Sequence, residues 1–240
     1  MFQPVKEGLG AYLQGFYTQI VPTTTPLSEF ITRGFPYSVA WAPSRMVDEV
    51  EKMIAAWQRN DTTPGATRPA NLPAILVAMD QGYTPTSREL TRQLSNPIDV
   101  RIPGDTRGRV FGLRTIAGDI RVQIAIAAAD EPTARSLAAQ FCNYIDAVQN
   151  RRFPVSWTFA GVTEEWSAMI ENPDVMAIAT HTDSADLVLL AIDIVLRTTI
   201  PLYDAPAVGQ PNDGNGAPGT NDPAGYPVVI DAFITKGIKE

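Results

Sequence analysis

The 240-residue chain has one cysteine, Cys142, and one histidine, His181. A single thiol excludes an intrachain disulfide. Set among Leu137, Phe141 and Ile145, it is expected to pack as a small hydrophobe. Structural zinc sites draw on several Cys and His residues, so none is expected. No run approaches the roughly 18 apolar residues of a membrane span, and Met1–Glu7 lacks the basic start and apolar core of a secretory signal. Synthesis and folding are therefore expected in the cytoplasm. Basic residues are outnumbered too: 19 Lys and Arg against 26 Asp and Glu leave a net charge of -7. That balance argues against a non-specific grip on phosphates, although an acidic wall would let DNA slide past.

Motifs that carry chemistry are also missing. His181 stands beside Thr180, Asp183, Ser184 and Asp186, so a hydrolase triad is conceivable, but no Gly-x-Ser-x-Gly turn exists to present a nucleophile. A surface histidine at a strand end is the better account. Gly8-x-Gly10 fails the dinucleotide fingerprint because Leu13 occupies the place of the third glycine, and there is no phosphate loop ending Gly-Lys-Ser/Thr. Asp213-Gly214-Asn215-Gly216 lacks the acidic spacing and closing glutamate of a calcium loop. Glu164 and Glu165 are adjacent and would face opposite sides of a strand, which does not suit an acid/base pair. No catalytic residue, metal site or cofactor is expected, and the chain is read as not an enzyme.

What is present is the composition of a folded protein, with 45% hydrophobic and 19% charged residues. Leu9, Tyr12, Leu13, Phe16, Tyr17 and Ile20 recur at helical steps, although Gly8, Gly10 and Gly15 weaken that helix, expected over 4–21. Tyr37–Trp41 reads as a short strand. A helix opening at Pro43 carries the stripe Met46, Val47, Val50, Met53, Ile54 and Trp57. Pro73–Met79 reads as a buried strand and Thr86–Leu94 as a weak helix. From Ile98 to Ala128 residues alternate, and glycines at 104, 108, 112 and 118 suggest a meander of hairpins. Asp130-Glu131-Pro132 starts a helix that runs to about Asn150. Phe153–Ala160, Val175–Thr180 and a long strand over Asp186–Leu202 follow. Asp204–Gly225 is a flexible loop or arm rich in Pro, Gly, Asn and Asp, and Pro227–Ile234 a closing strand. The expectation is one α/β (α+β) domain over 1–240, with a largely antiparallel mixed sheet, covering helices and long strand or hairpin extensions.

Asp193 interrupts the long apolar strand, and a carboxylate there must be paired, solvated or placed at an interface. Arg197 lies four residues on and shares its strand face. An intrasheet pair on a solvated face competes with an intersubunit or lumen-facing role. Arg101, Arg107, Arg109, Arg114 and Arg121 form a local basic region, only partly offset by Asp99, Asp105 and Asp119. It serves either as solubilising surface or as a docking patch for an acidic neighbour.

The order helix, strands, a strand feeding a covering helix, then further strands resembles the neck and tail-terminator (tail completion) proteins of tailed bacteriophages. The residues that carry it are Arg114–Ile145, especially Asp119–Ile126 feeding Pro132–Ile145, followed by Leu187–Leu202, all pattern without signature residues. The resemblance implies a virion protein forming a homo-oligomeric ring, commonly a hexamer. Such a ring joins the tail tube or sheath to the head connector and lets DNA pass without sequence-specific binding or membrane contact. No active-site residue carries over. The chain is longer than the small terminators and adds Asp204–Gly225, and a collar or baseplate subunit would look similar. A ligand-binding or enzymatic α/β domain, with a pocket lined by Trp41, Trp57, Trp157 and Trp166, stays open, as does a monomeric interaction module.

Overall fold

The computed structural model describes residues 3–42, 72–80, 84–85, 94–182, 186–210 and 212–214. The helix expected from Pro43, the loop after it, most of the weak helix over 86–94 and the closing strand over 227–234 lie outside them, as does Trp57. Within them the chain is a mixed α/β protein. The helices are α1 (Gln3–Tyr17), α2 (Thr25–Arg33), α3 (Phe35–Ser38) and α4 (Glu131–Asp146). The strands are β1 (Val39–Trp41), β2 (Ala74–Met79), β3 (Thr84–Pro85), β4 (Leu94–Arg101), β5 (Val110–Ala128), β6 (Arg152–Phe159), β7 (Val162–Ile170), β8 (Ala177–Thr180) and β9 (Val188–Asp204). The chain divides into two compact units. The first comprises Met1–Thr86, Gly118–Val155 and Ser167–Thr198; the second comprises Ser87–Ala117, Ser156–Trp166 and Thr199–Glu240.

The sheet order is β1-β2-β5-β9-β7-β6, with β3 and β4 added to β5 and β8 to β9. β1 runs parallel to β2, and β2 antiparallel to β5, so the sheet is mixed. The apolar stripe of α1, with Val5, Leu9, Leu13 and Phe16 buried, meets that of α4, with Leu137, Phe141 and Ile145. Phe16 and Phe141 pack edge to face at 4.9 Å between centroids. Each such fully buried side chain contributes roughly 1.5–3 kcal/mol relative to exposure. Asp130 caps α4 as its sequence predicts, its Oδ1 accepting from the Thr133 amide at 2.8 Å. Helix geometry ends at Asp146, and a 3-10 turn over Val148–Asn150 completes the stretch. The Gln140 side chain clamps Val21, accepting from its amide at 2.8 Å and donating to its carbonyl at 3.0 Å.

Gly8 has a packing reason for its place in α1: a Cβ there would stand 2.8 Å from the Pro154 carbonyl oxygen. Gly10 has nothing nearer than 3.9 Å. The expected strand over Tyr37–Trp41 begins only at Val39, because Phe35–Ser38 forms a helical turn tied down by Ser38 Oγ donating to the Phe30 carbonyl.

The second unit holds the β4–β5 hairpin, the β6–β7 hairpin and the last residues of β9. Phe111, Ile102 and Val162 form its core, with Phe159 and Tyr203 stacked at 3.7 Å. The β6–β7 turn is Ala160-Gly161, both at positive φ (46° and 83°), as a tight hairpin requires.

The sequence expected a meander of hairpins between Ile98 and Ala128, but only the first turn exists. β5 runs unbroken through Gly112 and Gly118 as a 19-residue strand. What happens at Gly118 is a change of phase. Phe111, Leu113, Thr115 and Ala117 are buried up to that point, and Gly118, Ile120, Val122, Ile124 and Ile126 after it. The unit boundary falls at the same step.

Candidate interaction face

Helices cover one face of the first unit's sheet, and register assigns residues to the other. In β9, Ile192, Ile194 and Leu196 are buried inward, so Ala191, Asp193, Val195 and Arg197 point outward by the strand period of two. Directly opposed residues on paired strands share a face. Ile178 of β8 is opposite Ala191, and Met169 of β7 opposite Arg197. Met176 precedes β8 and lines a cleft with Cys142, Asn143 and Asp146 of α4. One end of this face is closed by the apolar cluster Leu76, Ala78, Ala125, Ala127, Leu187 and Leu189. Beyond it, Met176 and Ile178 are 67% and 62% exposed. The outer face therefore carries the exposed Ile178 on the same side as the charged Asp193 and Arg197.

Asp193 is paired, but not with Arg197. Arg121 of β5 donates to it from Nε (3.2 Å) and Nη2 (3.0 Å), a two-point contact between side chains each 49% exposed. An exposed pair of this kind contributes about 0–1 kcal/mol, so it does little to hold the fold. Arg197 is more enclosed, 13% exposed, with Nη2 2.7 Å from Glu171 Oε1 and Nε 3.6 Å from Asp119 Oδ1. Asn172 extends the β7 edge along β9. Its Oδ1 accepts from the Val195 amide at 2.6 Å and its Nδ2 donates to the Asp193 carbonyl at 3.4 Å. Asp193 and Arg121 are thus available on the face, whereas Arg197 is held between two carboxylates.

The remaining arginines belong to the second unit. Register puts Asp99, Arg101 and Arg114 on one face of the β4–β5 hairpin, where all three side chains are accessible. Arg107 is exposed in the hairpin turn. Arg109 is spent inside the fold. It donates from Nε (3.0 Å) and Nη2 (2.9 Å) to the Asp105 carboxylate, and from Nη2 to the Ala160 carbonyl at 2.9 Å. The Arg109 side-chain hydrogen bonds hold the Asp105 carboxyl below its usual range, against the opposing effect of burial. The same guanidinium sits 5.0 Å from the Phe111 ring centroid. Its function is to pin the Ala160 turn, a role that its place in a basic run of sequence concealed.

The other sequence candidates are separately placed. His181 is exposed just past β8, while Asp183 and Ser184 lie outside the described residues. Trp41 belongs to the first unit, Trp157 and Trp166 to the second, where Trp166 Nε1 donates to the Tyr203 hydroxyl at 3.2 Å. Asp213 is buried, its carboxylate accepting from the Gly209 amide at 2.6 Å. Cys142 is half-buried, and burial pushes its thiol pKa up. Among the described residues no cluster of three or more His, Cys, Asp or Glu side chains is arranged to hold a metal ion. No helix among them is long and apolar enough to cross a membrane. A 540 Å3 cleft beside α4 is lined by neutral groups, including Gln19, Gln140, Asn143 and Tyr144.

The exposed Met176–Ile178 pair is what sequence reading missed. The signal was there, in Val175–Thr180 as a short apolar strand, but exposure depends on β8 lying at the margin of the sheet. No protein-family model matches the chain, and no curated protein matches it in sequence.

Proposed function

We propose that the protein is a structural subunit that assembles with copies of itself into a closed ring, of the kind that forms the neck or terminator of a phage tail. The observation that carries this is the outer face of the first unit's sheet, where exposed Ile178 and the half-exposed Arg121–Asp193 pair lie on the same side, with exposed Met176 just before β8. Large apolar side chains bordered by polar ones are the composition of a protein contact. A net charge of -7 suits a ring through which DNA slides without being gripped. Closed rotational symmetry is the usual way identical subunits satisfy such a surface. The resemblance in element order to tail-terminator proteins supports the same reading, with tail tube, sheath or head-connector subunits as neighbours.

Light scattering and negative-stain imaging of the purified protein test it. A discrete ring mass is expected, lost on Ile178→Asp while the melting temperature stays within a few degrees, since Ile178 is exposed and packs little in the single chain. A wild-type protein that remains monomeric at every concentration, alone and with tail-tube subunits, overturns the proposal.

A further inference from the structure

Among the described residues, β8 pairs with one strand. It pairs antiparallel with β9 over Ala177–Thr180, opposite Ile192–Leu189. The other side of β9 is taken by β5. Among the described residues no strand pairs with the outer edge of β8. The Ala177 amide already meets the Cys142 sulfur of α4; the rest of the edge offers backbone donors and acceptors to an extended segment, and exposed apolar side chains beside it are the condition under which strands add. Met176 and Ile178 provide such side chains. Met176 also lines a 470 Å3 cleft with Cys142, Asn143, Asp146, Asp174 and Val175, in which Asp146 is already paired with Arg151 at 2.9 Å.

The chain contains a segment with matching chemistry. Pro227–Ile234 reads Pro-Val-Val-Ile-Asp-Ala-Phe-Ile, and in an extended form Val228, Ile230, Ala232 and Ile234 fall on one face. That wholly apolar face is complementary to Met176 and Ile178. Lys236 and Lys239 follow, opposite in sign to Asp174. The stretch before it, from Asn215 to Tyr226, is rich in Gly, Pro, Asn and Asp and suits a tether.

We infer that the β8 edge is completed by the Pro227–Ile234 segment of a neighbouring copy, added as an extra strand, so that each subunit is tied to the next by its own C-terminal arm. This rests on the ring reading above and names the contact that closes it. The arrangement is head-to-tail, arm to edge, which yields a ring when the rotation closes. Competing occupants are the chain's own arm and a different protein.

Disulfide trapping separates these. One chain carries Cys142→Ser and Ala179→Cys; the other carries Cys142→Ser and Asp231→Cys. Position 231 lies on the opposite face from Val228 and Ile230, so it falls on the side of Ala177 and Ala179. Mixing the two under mild oxidation is expected to give a disulfide-linked dimer, and a chain carrying both cysteines to give a ladder of linked copies. A fast-migrating monomer from the doubly substituted chain would assign the edge to the chain's own arm, and absence of any link would assign it to another partner; either overturns the inference. In parallel, deletion of 227–240, and Ile230→Asp in the full chain, are expected to reduce the ring to monomers. Rings that persist unchanged in both overturn the arm contact and leave the ring reading standing, whereas a wild-type protein that never assembles overturns the ring reading itself.

Discussion

Two ion pairs separate the residues that hold this molecule together from those free to meet something else. Asp105 and Arg109 have side chains 3% and 10% exposed and share two hydrogen bonds, with a third from Arg109 to the Ala160 carbonyl. Without the Arg109 side chain, Asp105 keeps the amide hydrogen bonds of Arg107 and Arg109 but loses its counter-charge. Arg109→Ala should therefore cost more stability in chemical denaturation than Arg121→Ala, which should change it by under about 1 kcal/mol. The pH dependence has a definite sign. Hydrogen bonding from Arg109 depresses the folded-state pKa of Asp105 below its usual 3.8. The pair's contribution is thus fully present above pH 3.8 and is lost as pH falls through the lower folded value. A pH series of melting curves should show this acid loss in the wild type and a shallower one in Asp105→Asn. None of this was legible from sequence, where Arg109 looked like one of five neighbouring basic residues. Nor was the partner of Asp193, because Arg121 lies 72 positions away and only the β5–β9 pairing brings it near.

At the level of elements, the helices were legible and the sheet only partly so. The apolar stripes of α1 and α4 repeat at helical spacing, and Asp130 with Pro132 marks a start that the backbone obeys. β7 went unread because Thr163, Glu164, Glu165 and Ser167 blur its alternation, and its turn is Ala160-Gly161 in place of the usual Asn-Gly. β5 was cut into hairpins because glycine is the commonest sign of a turn, and nothing local says that Gly112 and Gly118 lie within a strand. The α1 glycines show how position reverses a rule. Replacing an exposed helical glycine by alanine gains up to about 1 kcal/mol. Gly10→Ala should stabilise by that order, since its Cβ would meet only ordinary contacts. Gly8→Ala should destabilise, because the new Cβ would sit 2.8 Å from a backbone oxygen. Urea denaturation of the two variants, side by side, checks both signs.

For the whole molecule, the contest is between charge and apolar surface. Each copy carries a net charge of -7, so copies repel, and the repulsion is felt over a Debye length of about 10 Å at 0.1 M salt but only about 3 Å at 1 M. If assembly rests on Met176, Ile178 and an apolar arm, added salt should strengthen it. Sedimentation across a salt series is expected to show the assembled fraction rising, and a fall would mean that ion pairs such as Arg121–Asp193 carry the contact instead. The acidic balance was plain from composition, but the division into two compact units was not. Its segments interleave three times along the chain, and no linker of unusual composition announces the boundaries.

The change of phase in β5 has an implication for how this chain tolerates insertion and loss of residues. Up to Ala117 the odd-numbered positions are enclosed, and from Gly118 the even-numbered ones are. The strand thus holds two reading frames that meet at one joint. A residue deleted well inside either half would turn part of that half inside out, exposing isoleucines and enclosing Arg121 or Arg114. A residue lost at the joint would leave each half's own sequence of faces whole and merely rephase them against each other. Lineages of this protein should accordingly gather their single-residue length changes at that joint and spare the strand on either side.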